Sequence, residues 1–116
     1  MTVDLFSGIP VRKLEPSVDW YRRLLGRDVS FRPDDTEAVW QLDEHVFVYL
    51  KIGREVVGGA LTAILVDDLD AFLASAAGRG VEPTEIEDYG GGTRKAVFID
   101  PDGNEFGVGT VPAGSH

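Results

Sequence analysis

Apolar residues in the first half of the chain recur with the two spacings that distinguish helices from strands. Between Pro16 and Gly26 they lie three or four positions apart, which is typical of one face of a helix. Proline fits the first turn of a helix, and glycine fits its end. The apolar face of this predicted helix consists of Leu14, Val18, Tyr21 and Leu25. Short apolar runs predict strands at 5–11, 29–31, 37–42 and 45–52.

The second half of the chain shows the same pattern. The stretch Asp67-Asp68-Leu69-Asp70 supplies an N-cap-type acid ahead of a predicted helix that ends at Gly78 and Gly80. The apolar face of this helix consists of Leu69, Phe72, Leu73, Ala76 and Ala77. Apolar runs predict strands at 60–66, 81–86, 93–99 and 105–111. Because Pro83 cannot donate a hydrogen bond to a neighbouring strand, the 81–86 strand is predicted at a sheet edge.

The order of one strand, one helix and three strands therefore occurs twice. Val11 and Val66 precede the two predicted helices at a shift of 55 residues. Gly26 and Gly80 follow the helices at a shift of 54 residues. A repeat of element order at a fixed period indicates an internal duplication.

The duplication predicts an α+β fold built from two βαβββ modules, at about 1–53 and 60–112, within one domain over 1–116. The glycine-rich stretch 53–59 is the predicted connection between the modules. Because the other connections are short, sequential strands are expected to pair antiparallel, with the helices packed outside. The curved mixed sheet then has a concave face where a ligand would bind.

Several motifs resemble one family. The opening stretches 8–14 and 18–26 are similar to the first strand and helix of the vicinal oxygen chelate superfamily, which contains glyoxalases, bleomycin resistance proteins and extradiol dioxygenases. Lys13 departs from that pattern, in which an Asp is common. In the second half, the sequence VDDL at 66–69 and the turn DPDGN at 100–104 also match. The resemblance covers nearly the whole chain, and it implies the fold predicted above.

The resemblance also implies four positions for metal ligands, each a His or Glu in the metal-dependent members. In this sequence they fall on Phe6, Tyr49, Leu61 and Gly107. Phenyl, isobutyl and hydrogen cannot coordinate a divalent ion, and a phenol with a pKa near 10 is a poor ligand. A shift of register by one residue does not restore a ligand set, since Asp4 is the only acidic residue within two positions of Phe6. We therefore expect no metal and no cofactor.

Histidines are too few for the metal chemistry of the family. The chain contains only His45 and His116, and His45 is expected in a solvated turn. Extradiol cleavage, which uses two histidines and a carboxylate, is therefore disfavoured. Glyoxalase-type isomerisation is disfavoured as well, because it needs both a metal and a Glu base.

Strand alternation predicts which side chains line the concave face. The predicted lining is apolar and aromatic, with a few polar groups, and suits a flat small molecule. It consists of Phe6, Gly8, Trp40, Phe47, Tyr49, Leu61, Ala63, Glu105 and Gly107.

Other interpretations of these residues stay open at this stage. The aromatic and aliphatic side chains can fill the concave face as core. Trp40 can be a stacking platform, a core residue or a contact in a dimer. Glu105 can be a general acid or base, or a solvated residue at the rim. Catalytic residues are therefore not assigned.

Composition and charge restrict the partners and the compartment. The net charge of −9 argues against nucleic acid; it would attract a cationic partner, although an acidic surface that only keeps the protein soluble is the commoner case. The chain has no cysteine, which excludes disulfides and thiol catalysis and fits a reducing compartment. It shows neither a signal peptide nor an apolar run of about 18 residues. We expect a cytoplasmic protein without a membrane partner, and the resemblance implies a homodimer.

Two functions fit these observations. The first is a metal-free protein that binds a small cationic or aromatic molecule, similar to the drug-sequestering bleomycin resistance branch. The alternative is a lyase, isomerase or dioxygenase of the same superfamily that uses an unrecognised metal site or an acid–base pair. The missing ligands favour the first function, so whether the protein is an enzyme stays open.

Overall fold

The computed structural model describes residues 1–111, so His116 lies outside the described residues. The elements in chain order are β1 (Leu5–Pro10), α1 (Leu14–Leu25), β2 (Glu37–Asp43), β3 (Val46–Lys51), β4 (Leu61–Val66), α2 (Leu69–Gly78), β5 (Glu85–Asp88), β6 (Arg94–Ile99) and β7 (Glu105–Thr110). The predicted α+β order is confirmed, with two differences in the predicted strands.

The two differences have local causes. The predicted strand at 29–31 is reduced to a single bridge between Phe31 and Val39. The strand predicted at 81–86 starts only at Glu85. Val81 is instead buried, and its N–H donates to the carbonyl of Ala76, so it continues the end of α2.

The strands form two mixed sheets, with orders β1-β3-β2 and β4-β7-β6-β5. The pairs β2/β3, β5/β6 and β6/β7 are antiparallel, as predicted. The first strand of each module pairs in parallel with the last strand of that module, which makes both sheets mixed; the prediction of a mixed sheet did not say which strands form the parallel pairs. The sheets approach each other at β1 and β4, where Ser7 Oγ and Thr62 Oγ1 lie 3.1 Å apart. The same topology in both modules supports the duplication.

The end of α1 and the start of α2 agree with the signals in the sequence. Gly26 adopts a φ of 74° after α1, and its N–H donates to the carbonyl of Arg22. The Asp68 carboxylate accepts a hydrogen bond of 3.0 Å from the N–H of Ala71 and caps α2. Neither helix within residues 1–111 has the length and apolar character needed to span a membrane.

One hydrophobic core lies on the helix-facing sides of the two sheets and draws on both modules. Its fully buried large side chains include Trp40, Tyr21, Phe98, Phe106, Ile9, Leu24 and Leu50. Tyr21 of α1 contacts Phe106 of β7, with ring centroids 5.9 Å apart. The opposite side of each sheet is free of helices and carries the residues considered below.

A buried carboxylate joins the two modules at the DPDGN turn. Asp100 accepts hydrogen bonds from the Tyr21 hydroxyl at 2.8 Å and from the Asn104 backbone N–H at 2.9 Å. The Asn104 side-chain amide donates to Asp100 at 2.9 Å and to the Pro10 carbonyl at 2.9 Å, and its oxygen accepts from the Ala60 N–H. Burial and the adjacent Asp100 carboxylate raise the pKa of Tyr21, so its hydroxyl remains a donor.

We predict that Tyr21→Phe lowers the free energy of unfolding by about 1–3 kcal/mol, because buried Asp100 loses a donor. Denaturant unfolding measures the change. Tyr89→Phe is the matched control, since it removes a hydrogen bond to Glu87 of 2.6 Å at an exposed position and should change stability by less than about 0.5 kcal/mol. Equal effects of the two substitutions would contradict the role of Tyr21.

Candidate functional site

The open side of the first sheet carries alternate residues of β1 and β3. Successive residues of a strand point to opposite faces, so one face collects every second residue. In register, Phe6 pairs with Phe47, Gly8 with Tyr49 and Pro10 with Lys51. The first module therefore presents three cross-strand pairs in a row. The row begins with the aromatic pair of Phe6 and Phe47 and ends at the cation Lys51.

An aromatic cluster occupies the first part of this row. The rings of Phe6 and Phe47 are stacked, with centroids 4.3 Å apart and planes 8° from parallel. The ring of Tyr49 is tilted against Phe6, with centroids 6.4 Å apart. Phe47 is buried, whereas 48% of Phe6 is exposed. Phe6 therefore offers aromatic surface to a ligand.

Gly8 allows the Tyr49 side chain to lie across β1. A Cβ atom at Gly8 would be 2.7 Å from both Cζ and the hydroxyl oxygen of Tyr49, closer than such atoms can approach. Only glycine leaves room for this orientation. Among residues 1–111, the Tyr49 hydroxyl makes no hydrogen bond, so it is available to a ligand.

A cavity of about 590 Å³ lies at the other end of the row. It is lined by Gly8, Ile9, Pro10, Glu37, Tyr49, Lys51, Arg54, Glu55 and Val56. The ammonium group of Lys51 donates to Thr36 Oγ1 at 2.7 Å and to Glu37 Oε1 at 3.1 Å. The size of the cavity suits a small molecule.

The predicted lining residues are divided between two faces. Phe6, Gly8, Phe47 and Tyr49 share the open face of the first module. The remaining predicted strand residues lie on the open side of the second sheet, where Leu61 pairs with Glu105 and Ala63 with Gly107. The cavity is lined by the first module and the connection between modules, and it excludes the second sheet.

The face of the second module differs in character from that of the first. Leu61 is 79% exposed, and the side chain of Lys95 lies over Gly107, with Cε 3.2 Å from where a Cβ would be. The Lys95 ammonium lies 3.8 Å from the carboxylates of both Glu87 and Glu105. This face therefore combines exposed apolar surface with carboxylates, and Glu105 takes part in a charge network at its surface.

Trp40 does not line either face, so its predicted place in the lining is wrong. It is fully buried, and its indole N–H donates to the Arg27 carbonyl at 3.0 Å. Across β2 and β3 it pairs with Val48 rather than Tyr49, which places it on the helix-facing side. The core interpretation of Trp40 is the correct one.

The sequence prediction also missed part of the cavity. Glu37 lines it from β2, and residues 54–56 line it from the connection between modules. The glycines at 53, 58 and 59, all with positive φ, mark this connection as irregular. They are a signal for a loop, but a loop has no periodicity that would assign its side chains to a cavity.

The four positions of the family's metal ligands do not fit a metal. Phe6 and Tyr49 lie on the first face, and Leu61 and Gly107 on the second. The set offers one phenol oxygen and no imidazole or carboxylate. Within residues 1–111, no group of three or more His, Cys, Asp or Glu side chains could hold a metal ion. His45 lies in an exposed turn, where its Nδ1 is 2.6 Å from Asp4.

Comparison with known proteins identifies similar chains. Residues 3–108 match the family model described as Glyoxalase/Bleomycin resistance protein/Dioxygenase superfamily, and no curated protein matches. A solved glyoxalase/bleomycin resistance protein from Catenulispora acidiphila DSM 44928 is 43% identical, covers 96% of this chain and 100% of its own, and has a TM-score of 0.92.

Two further solved structures share the fold at lower identity. The oxidase ChaP-H2 is 21% identical over 99% of this chain and 97% of its own, with a TM-score of 0.74. A bleomycin-binding protein complexed with bleomycin is 20% identical over 96% of this chain and 100% of its own, also with a TM-score of 0.74. At such identities the likeness concerns the fold alone.

We predict that Gly8→Ala lowers the free energy of unfolding by less than about 1 kcal/mol, because the added methyl group displaces only the far end of the partly exposed Tyr49 side chain. In a Tyr49→Ala background the same substitution should cost little. Denaturant unfolding of the unchanged protein, the two single variants and the double variant measures the interaction between the two positions. Gly78→Ala is the control, since a Cβ there meets nothing within 4 Å, and it should be neutral or stabilising. An unchanged cost of Gly8→Ala without the tyrosine ring would exclude the steric explanation.

Proposed function

The chain belongs to the Glyoxalase/Bleomycin resistance protein/Dioxygenase superfamily, and we propose that it is a metal-free protein that binds a flat, partly apolar small molecule. The observation that carries this proposal is the open face of the first module. There, an exposed aromatic ring, an unbonded phenol and a cavity of about 590 Å³ occur side by side.

The aromatic cluster supports binding of a planar ligand. Because Phe6 stacks on Phe47 at 4.3 Å, one side of its ring is fixed and a large part of its surface remains free. Offset or tilted contacts between aromatic rings stabilise a complex beyond the effect of buried area. The tilted Tyr49 ring adds a second wall, so a flat molecule would contact two rings at once.

The donor chemistry of the four family positions supports a function without a metal. Metal-dependent members would need His or Glu side chains at Phe6, Tyr49, Leu61 and Gly107. No reaction step through a metal follows from these residues. The fold itself does not decide between binding and catalysis, since it also occurs in an oxidase and in a bleomycin-binding protein. The proposal therefore rests on the residues of the site.

We further propose that two copies of the chain pair through the open face of the second module, in the cytoplasm. Leu61 and Leu65 are 79% and 57% exposed and lie on the same face of β4, where they form a contiguous apolar surface. A second copy paired through this face would cover them and leave Phe6 free for a ligand. The absence of cysteine fits the reducing cytoplasm.

We predict that 2-naphthol binds the protein with an affinity that drops about tenfold in Phe6→Ala and in Tyr49→Ala, because each substitution removes an aromatic wall. Isothermal titration calorimetry measures the affinity. Tyr89→Ala, which removes an aromatic side chain that is 62% exposed on another loop, should bind like the unchanged protein.

The same titration tests the absence of a metal. Binding of 2-naphthol should be unchanged after dialysis against a chelator, and elemental analysis of the purified protein should find no stoichiometric Ni, Zn, Fe or Mn. A stoichiometric metal whose removal abolishes binding would refute the proposal and favour the enzymatic alternative.

We predict that Leu61→Arg shifts the protein from dimer to monomer in light scattering coupled to size exclusion, because a charge would be buried in the apolar contact. Ile86→Arg is the control at a residue that is 48% exposed on the edge strand β5 and should leave the dimer intact. A monomeric unchanged protein at micromolar concentration would rule out the pairing.

A further inference from the structure

Negative charge is distributed unevenly between the modules. Residues 1–53 contain nine acidic and seven basic residues, a net charge of −2. Residues 60–116 contain ten acidic and three basic residues, a net charge of −7. The cavity lies in the first module, so the overall charge of −9 does not describe the charge that a ligand meets there.

Lys51 is a fixed cation inside the cavity. Its ammonium group donates to Thr36 Oγ1 and to Glu37 Oε1, which hold it in place and leave one N–H for a ligand. About 30% of the side chain is exposed. An ammonium group can only donate hydrogen bonds, so the group that meets it must be an acceptor.

The carboxylates of the cavity weaken the preference for an acceptor, but they leave one N–H of Lys51 free. Glu37 is already engaged by Lys51 through an ion pair of 3.1 Å. Glu55 is an exposed residue of the connection beside Arg54, whose charge is opposite. The cavity therefore presents the Lys51 ammonium and the Tyr49 hydroxyl as donors, and exposed Arg54 adds a further cation from the connection.

The register of β1 and β3 sets the distance between the aromatic and the cationic ends. Phe47, Tyr49 and Lys51 follow each other at intervals of two residues on one face. Two residues of a strand span about 7 Å, so the backbone positions of Phe47 and Lys51 are about 13 Å apart. The long Lys51 side chain can shorten this span. A ligand with an aromatic ring and an acceptor group a few bonds away matches the row.

We propose that the cavity selects aryl carboxylates, with the ring on Phe6 and Tyr49 and the carboxylate on the Lys51 ammonium. The inference rests on the proposed function and specifies its ligand class. It differs from the cationic ligand that the net charge predicts, because hydrogen bonds to a fixed charged group act at short range, whereas exposed charges are screened within about 10 Å.

Three probes of matched size test the proposal: 4-phenylbutyrate, 4-phenylbutylamine and 4-phenylbutanol, each titrated by calorimetry. The carboxylate is expected to bind at least about tenfold more tightly than the amine, with the alcohol between them, because only the carboxylate brings an opposite charge to the Lys51 ammonium and the amine brings a like charge.

Variants assign the preference to Lys51. Lys51→Met keeps the length of the side chain and removes the ammonium, so the preference for the carboxylate should disappear while binding of the alcohol persists. Glu37→Gln removes the competing carboxylate and should tighten binding of 4-phenylbutyrate. Lys95→Met, which removes the lysine on the face of the second module, should keep the preference.

The outcomes separate the two proposals. If the alcohol and the carboxylate bind equally, or if Lys95→Met also abolishes the preference, the assignment of the ligand class is wrong and aromatic binding by the face stands. If none of the three probes binds the unchanged protein, and 2-naphthol does not bind either, both proposals fail.

Discussion

The buried Asp100 carboxylate holds the two halves of the molecule together. It accepts hydrogen bonds from Tyr21 in the first helix and from Asn104 at the start of the last strand. A buried carboxylate is costly unless its oxygens are bonded, so these contacts fix how the modules pack. That packing buries one side of each sheet in a shared core. The opposite sides are left open, and the open face of the first module follows from this arrangement.

Much of the fold could be predicted from the sequence because helices and strands bury residues at different periods. The α1 face and the Asp68 cap appear in the structure as the pattern indicates. The sequence prediction placed Trp40 on the wrong face of the first sheet, and the error has a physical reason. Ala38, Val39 and Trp40 are all buried, so their run of apolar residues shows no alternation. Parallel pairing of each module's outer strands could not be predicted either, since it depends on the path around the helix.

In the candidate site, too, the sequence pattern predicted which residues share a face, but it did not predict how the modules pack. Alternation alone places Phe6, Gly8 and Tyr49 on one face, and the structure agrees. The separation of the two faces depends on how the modules pack, which no local pattern reports. The sites in the two modules have also diverged: Tyr49 and Lys51 of β3 correspond in register to Gly107 and Gly109 of β7. At these positions the first module has side chains where the second has only backbone.

The position of Asn104 has a consequence for synthesis of the chain. Its side-chain amide binds the carbonyl of Pro10, a residue 94 positions earlier. The first strand can pair with β3 earlier, but this hydrogen bond to Pro10 forms only when nearly all of the chain has left the ribosome. Contacts between distant positions slow folding, and incomplete intermediates expose apolar surface. A nascent chain that stalls before Asp100 would carry the first helix with Tyr21 lacking its hydrogen-bond partner.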